Sequence, residues 1–356
     1  MKRLLNQDDR AASCYFRSSV EAPYRKALVQ ITERCNLFCA HCFVSAGNFG
    51  ATMEMDAITN VLLPRLQEMR VVSVTLTGGE PFAHPDIIEI VRLLRSAGMS
   101  VSICTNATLV SDEQVETLAS IGGVHINVSL DGFRAESHGK FRGSPHSFHN
   151  TVETAKKFGD QGLLKGLLVT PNTLSEIKEY GEICEFAISN NAVYVLMNPL
   201  SNFGRGAKST AKLGSPEHVM EKISGTTEPY REHIELVNIR FPGNRLPLAA
   251  CEAGNIIYVF TKGEVTVCPY LVFAAKNANS QHSPQEFIVG NVFGDSDIAK
   301  KLDAYDFHAR YGLGGNPTCA SCGISSRCGK GCPAAVIAAG NRIEEVDVAM
   351  CPVTAS

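Results

Sequence analysis

The chain has 356 residues, 44% apolar and 19% charged, a balance that builds a folded core and excludes a disordered polymer. Its net charge is −3 with no block of Lys or Arg, so no face is built to neutralise a nucleic-acid backbone. No signal-peptide stretch opens it and no run reaches the ~18 apolar residues of a membrane span, which predicts a soluble, cytoplasmic protein with no membrane partner. Thirteen cysteines are the unusual feature. In a long chain without an export signal, they argue for metal or iron–sulfur ligands rather than a disulfide framework.

Residues 1–27 are polar and irregular and read as an N-terminal extension. From 28 to 198, short apolar runs alternate with amphipathic ones, predicting strands at 27–32, 71–77, 100–106, 124–130, 163–170 and 193–198. Helices fall between them at 55–69, 85–96, 112–120, 148–158 and 174–188. Pro64 is expected to kink the first helix, and Pro85 is placed in the first turn of the second, where proline is tolerated. Six strands alternating with helices predict an α/β fold with a parallel sheet and right-handed crossovers, open or curled into a partial barrel. Polar residues recur on one face of three strands: Ser73, Thr75 and Thr77; Ser102, Cys104 and Asn106; His125, Asn127 and Ser129. Parallel strands covered on both faces usually read as unbroken apolar runs, so these rows predict a curled sheet with a hydrated or ligand-filled lumen. The plainer alternative is a solid core that satisfies those groups internally. Residues 199–250 read as a bridging region and 251–356 as a small cysteine-rich domain.

Directly after the first strand comes Cys35-Asn36-Leu37-Phe38-Cys39-Ala40-His41-Cys42. Three thiolates on so short a loop can each hold one iron of a cubane, leaving the fourth iron open to a ligand. A zinc site would want a fourth ligand, and His41 is badly placed to share the metal of Cys42. Thr77-Gly78-Gly79-Glu80-Pro81 ends the second strand, where glycines permit close backbone approach and Glu80 can accept a hydrogen bond from an amine. Alone, that segment is equally well a tight turn.

Together, at these two places, the motifs resemble the radical S-adenosylmethionine superfamily over about residues 28–198. The resemblance implies a partial (β/α)6 TIM-like barrel and a 4Fe–4S cluster on Cys35, Cys39 and Cys42, whose open iron is chelated by S-adenosylmethionine. It implies further that His41 lies near the adenine and that Gly78, Gly79 and Glu80 hold the methionine amino group. Ser129 and Arg142 match residues that contact the cosubstrate in relatives. Thr105 and Asn106 stand where the ribose is commonly met, and Met197 and Asn198 near the expected adenine site. Ordinary strand-end capping is the alternative for these last positions.

The C-terminal cysteines are Cys251, Cys268, Cys319, Cys322, Cys328, Cys332 and Cys351. The central four, spaced C-x2-C-x5-C-x3-C, could hold a structural zinc, but that would strand the other three. With Gly263 twelve residues after Cys251 and five before Cys268, the whole pattern resembles the SPASM extension. That resemblance implies two auxiliary 4Fe–4S clusters, hence three in all. The distal one would use Cys319, Cys322, Cys328 and Cys351, and the proximal one Cys251, Cys268 and Cys332, its fourth iron open or met by a side chain or substrate. Cys14, Cys104 and Cys184 fit no motif and read as free buried thiols.

The family's chemistry implies a flavodoxin or ferredoxin reductant, reductive cleavage of S-adenosylmethionine to a 5′-deoxyadenosyl radical, and hydrogen abstraction from a substrate. Maturation of a ribosomally made peptide by crosslinking, oxidation or epimerisation is the favoured expectation. Against it, the 27 residues before the first strand are too few for a leader-recognition domain, so a leader would need a separate partner or another surface. Sulfatase maturation is disfavoured because Pro269 follows Cys268 where those maturases carry a catalytic Asp. The second expectation is oxidation or epimerisation of a small molecule, whether sugar, aminocyclitol or tetrapyrrole. An iron–sulfur scaffold or redox sensor comes third, since it has no use for the Gly-Gly-Glu-Pro segment. Tyr270 could stand near substrate as an acid, base or radical relay, a packed aromatic being the plainer reading. The basic, Gly-rich 202–208 loop reads as a connection. No catalytic acid or base can be named from spacing.

Overall fold

A computed structural model describes residues 10–15, 20–242 and 245–354. Strands β1 (Arg25–Thr32), β2 (Val71–Gly78), β3 (Ser100–Thr105), β4 (Val124–Ser129), β5 (Leu164–Val169) and β6 (Tyr194–Met197) form a parallel run in chain order. Helices connect each to the next. On each strand one set of alternate residues faces those helices and is apolar: Ala27, Val29 and Ile31, Val74 and Leu76, Val101 and Ile103, Ile126 and Val128 are all essentially buried. The helices answer in kind, Ile87–Ser96 burying Ile87, Ile90, Val91 and Leu94 at helical spacing. The opposite strand faces carry Lys26, Thr75, Thr77, Cys104, Asn127 and Ser129, and these border a cavity. The lumen is therefore real, and the polar rows mark it.

Two helices depart from expectation. The segment expected as one helix over 55–69 runs as Met55–Ala57, a π-turn at Ile58–Leu62 and Leu63–Glu68. Pro64 has no N–H to give the ladder, and the wider turn before it absorbs the break. Pro85 is not helical: the helix starts at Ile87 after Asp86, and Pro81 instead opens a short 3-10 turn, Pro81–Ala83.

Four further short strands extend the sheet. β7 (Glu235–Asn238) pairs parallel with β6, and β8 (Ile256–Val259) pairs parallel with β1 on the other side. β9 (Glu264–Thr266) and β10 (Ile288–Asn291) continue it antiparallel, giving the order β10-β9-β8-β1-β2-β3-β4-β5-β6-β7. The N-terminal extension is pinned to the far part of the chain. Ala11 N donates to Pro247 O at 2.8 Å and Ala249 N to Ala11 O at 2.9 Å. Among the described residues no helix is long and apolar enough to cross a membrane.

Candidate functional site

The carboxyl ends of β1–β6 surround a cavity of about 360 Å³, the place where parallel α/β sheets bind ligands. The 35–42 loop forms one wall. Cys35, Cys39 and Cys42 all border the cavity and lie close enough to interact electrostatically. Leu37 N donates to Cys35 Sγ at 3.4 Å, and Arg142 Nη1 and Asn106 Nδ2 each lie 4.0 Å from a thiol, Cys39 and Cys35 respectively. Burial pushes Cys35 up to about 12 and raises Cys39 as well, although the Arg142 charge opposes the rise there. Such thiols become ligands only where metal charge stabilises the thiolate.

The Gly-Gly-Glu-Pro turn packs its backbone onto the end of β1. A side chain at Gly78 would strike Thr32 O and one at Gly79 would strike Arg34 O. Gly79 N donates to Thr32 O and Glu80 N to Arg34 O, at 2.8 and 2.9 Å. Glu80 is 1% exposed and its carboxylate accepts from Thr105 Oγ1 (2.6 Å), Asn106 N (2.7 Å) and Phe82 N (3.1 Å). Burial still holds it above the usual carboxylate value. Three of its roughly four acceptor positions are thus used within the protein, so Glu80 ties the turn to the end of β3 and has about one position left for a ligand.

Across the cavity, Arg142 is paired with Asp131, Nε to Oδ2 at 2.7 Å, both nearly inaccessible. Burial pushes the Asp131 carboxyl up, and the Arg142 guanidinium together with His41, His138 and the Thr170 N–H more than reverses this, leaving it below its usual range. His41 lies flat on Phe141, centroids 4.7 Å apart, and burial lowers its pKa to about 4, so the ring is neutral. His41 Nδ1, Thr75 Oγ1 and Asn198 Oδ1 are buried polar atoms without a protein partner, on residues that border the cavity. Unpaired buried groups are costly, and here they mark positions a polar ligand would satisfy.

Of the expected cosubstrate contacts, His41, Gly78, Gly79, Glu80, Thr105, Asn106, Ser129, Arg142 and Asn198 border this one cavity. Met197 does not. Strand alternation turns Tyr194, Leu196 and Asn198 inward, and sends Met197, 0% exposed, into the helical layer. Tyr270 borders the cavity and is also packed, within 5.5 Å of Tyr15, Phe43 and Phe203. Arg205 was hidden in the supposed connecting loop. It donates to Cys39 O at 2.8 Å and Ala46 O at 2.6 Å and stacks on Phe38, clamping the cysteine loop from the β6 side. Gly204 beside it approaches Cys42 O and Phe43 O too closely for any side chain.

The donor set, three thiols against a cavity with orphaned polar atoms, suits an iron–sulfur cluster and a polar cosubstrate. Among the described residues no three Cys, His, Asp or Glu side chains converge on a single-ion position. Ligands of a four-iron cluster surround a volume rather than a point.

Residues 29–187 match the sequence profile of the Radical SAM superfamily. The subtilosin biosynthesis protein AlbA of Bacillus subtilis is 28% identical over 76% of this chain and 58% of its own length, so the chain spans less than two thirds of that relative. The AdoMet-dependent heme synthase of Methanosarcina barkeri is 29% identical over 71% of this chain and 78% of its own length. The mycofactocin maturase MftC of Mycolicibacterium smegmatis is 24% identical over 89% and 80%. The solved structure of Streptococcus suis SuiB bound to S-adenosylmethionine superposes with a TM-score of 0.68 at 17% identity, covering 92% of this chain and 77% of that one. That likeness shows the fold, a partial α/β barrel with a parallel sheet.

Proposed function

We propose, from the match of residues 29–187 to the Radical SAM superfamily profile, an enzyme that matures a ribosomally made peptide by radical chemistry. The family's cofactors are a 4Fe–4S cluster and S-adenosylmethionine. The observation that carries the proposal is the shared cavity of Cys35, Cys39, Cys42, Glu80 and Arg142. Cys35, Cys39 and Cys42 would hold the cluster. Such a cluster would supply an electron for reductive cleavage of bound S-adenosylmethionine and so the means of taking a hydrogen atom from the substrate. The protein's own part is positional. Gly78 and Gly79 would let the backbone come close to the methionine amino group, and Glu80 holds that turn in place. The Arg142 guanidinium, fixed by Asp131, keeps a donor for a carboxylate. His41, neutral and stacked on Phe141, offers an apolar ring to the adenine, and Thr105, Asn106, Ser129 and Asn198 offer polar contacts. The aromatic wall of Tyr15, Phe43, Phe203 and Tyr270 keeps water from the side facing the C-terminal cysteines.

The same reading divides the chain into an extension (1–27), barrel (28–198), bridge (199–250) and SPASM domain (251–356). It gives that domain two auxiliary clusters and calls for a flavodoxin or ferredoxin reductant in a reducing cytoplasm. The peptide class is favoured by AlbA, named for bacteriocin biosynthesis, and by MftC, a maturase matched over 89% of this chain. The second reading, a tetrapyrrole substrate, is favoured by the heme synthase. Anaerobically reconstituted protein with dithionite and S-adenosylmethionine is expected to form 5′-deoxyadenosine, and C35A, C39A and C42A to form none. Persistent cleavage by those variants refutes the site. A precursor peptide encoded beside the gene should lose mass in hydrogen units on crosslinking or oxidation, or gain one deuterium from heavy water on epimerisation, whereas turnover of an iron porphyrin alone decides for the second reading.

A further inference from the structure

Cys14, which fits no motif, lies 317 residues from Gly331 in sequence, yet its Sγ stands 3.3 Å from the Gly331 carbonyl oxygen. The same Sγ stands 4.0 Å from the Ala249 carbonyl oxygen, two residues before Cys251, while Gly331 directly precedes Cys332, and Cys14 lies close enough to both thiols to interact with them electrostatically. Cys332 in turn interacts with Cys268. Four thiols from three distant parts of the chain are therefore neighbours, with Cys14, Cys268 and Cys332 buried and Cys251 partly so.

The surrounding structure is built to hold Cys14 there. Arg240 N donates to Ala12 O at 2.6 Å, and Arg240 Nη1 donates to Ser13 O at 3.2 Å. The same guanidinium forks onto Asp347, at 2.6 and 2.9 Å, in an ion pair that is 7% and 3% exposed. Asp347 Oδ2 accepts from Cys332 N at 2.9 Å, and Asp347 O accepts from Cys351 N at 2.8 Å. One buried Arg–Asp pair thus fixes both the extension that bears Cys14 and the loop that bears Cys332. The other two unassigned cysteines differ. The groups that shift Cys104 are Lys26, Asn127 and Glu80 and the one that shifts Cys184 beyond its burial is Glu185, none of them a thiol.

We propose that Cys14 is the fourth protein ligand of the proximal auxiliary cluster, completing Cys251, Cys268 and Cys332. The proposal rests on the reading of the C-terminal cysteines as cluster ligands. Its consequence is specific. With four thiolates on four irons, no iron is left for a substrate atom, so this cluster exchanges electrons without bonding substrate, and the substrate is held by side chains alone.

The test uses the full chain with C35A, C39A and C42A together, which removes the barrel cluster and makes the outcome independent of S-adenosylmethionine cleavage. Reconstituted anaerobically with iron and sulfide, this background is expected to hold about eight irons, four per cubane. Adding C14A is expected to lower the iron content and, on oxidation, to give the EPR signal of a three-iron cluster. C14S, which keeps the shape and offers oxygen, is expected to retain iron with a shifted reduced-state spectrum. C184A, an equally buried thiol without thiol neighbours, is expected to change neither. Unchanged iron and spectra in both C14A and C14S overturn the proposal, as does zinc in place of iron and sulfide, or a background with no auxiliary iron. Failure of the proposed function is read separately, as absence of 5′-deoxyadenosine from the wild-type chain.

Discussion

The guanidinium of Arg205 stands 3.9 Å from the centroid of the Phe38 ring, and two of its N–H groups donate to carbonyls of the loop that carries Phe38. A residue beyond β6 thereby closes the loop that follows β1, so the three cysteines are held from both sides of the barrel mouth. R205A is expected to speed loss of barrel-cluster iron to a chelator by roughly tenfold, the equivalent of ~1.4 kcal/mol. R205K should restore little of this, because an ammonium cannot reproduce the fork and the stacking together. Equal stripping rates in wild type and R205A would remove the clamp from the account.

Arg142 and Asp131 form a pair that neither can leave cheaply. Truncating one partner strands a buried charge, at a typical cost of ~3–5 kcal/mol. R142M is expected to lower the unfolding free energy by about that amount, and D131N combined with R142M to recover part of it. Chemical denaturation of the three proteins checks this. An R142M variant as stable as wild type would mean that the pair is not charged and buried as described.

The two barrel motifs were legible because each is contiguous: Cys35 to Cys42 and Thr77 to Pro81 carry their spacing within a few residues, and strand alternation marked Thr75, Asn127 and Ser129 as lumen-facing. What could not be read was non-local. Arg205 looks like any loop cation until β6 places it over Phe38. Cys14 has no spacing partner nearer than Cys35 and acquires neighbours only when 11–15 fold along 247–249. β7 and β8 are four residues each, and their pairing with β6 and β1 depends on chain closure rather than local pattern. Met197 was misplaced by one step of a two-residue period, enough to turn its side chain from cavity to core.

Acid should destabilise the fold through two buried groups that act in the same direction. Asp131 is held below its usual pKa, so its contribution is present above the unfolded value and is lost as pH falls through the folded one. His138, fully buried, is lowered by burial from 6.5 to about 3, so over that window only the unfolded chain takes up the proton. Stability therefore falls as pH drops below about 6.5, and this single site approaches a slope of about 1 kcal/mol per pH unit. H138N, whose side-chain oxygen can still accept from Asp131 N as the ring does, is expected to flatten the dependence of the unfolding midpoint between pH 6.5 and 5. An identical slope in H138N contradicts the assignment.

At Gly79 the constraint is space rather than backbone angle, because an added methyl would meet the carbonyl oxygen of Arg34. G79A is expected to weaken S-adenosylmethionine binding by at least about tenfold, ~1.4 kcal/mol, while circular dichroism stays near wild type. Equilibrium dialysis reads the first effect. Binding equal to wild type would show that the turn has room that the packing denies.

The central claim is that the three thiols of the 35–42 loop leave one iron for S-adenosylmethionine within the cavity. It is tested most directly by EPR of the dithionite-reduced full chain, recorded before and after S-adenosylmethionine is added. The account predicts a shift of the barrel-cluster signal, followed by 5′-deoxyadenosine, both absent in C42A. A spectrum that stays the same on addition, with no 5′-deoxyadenosine formed, would contradict it.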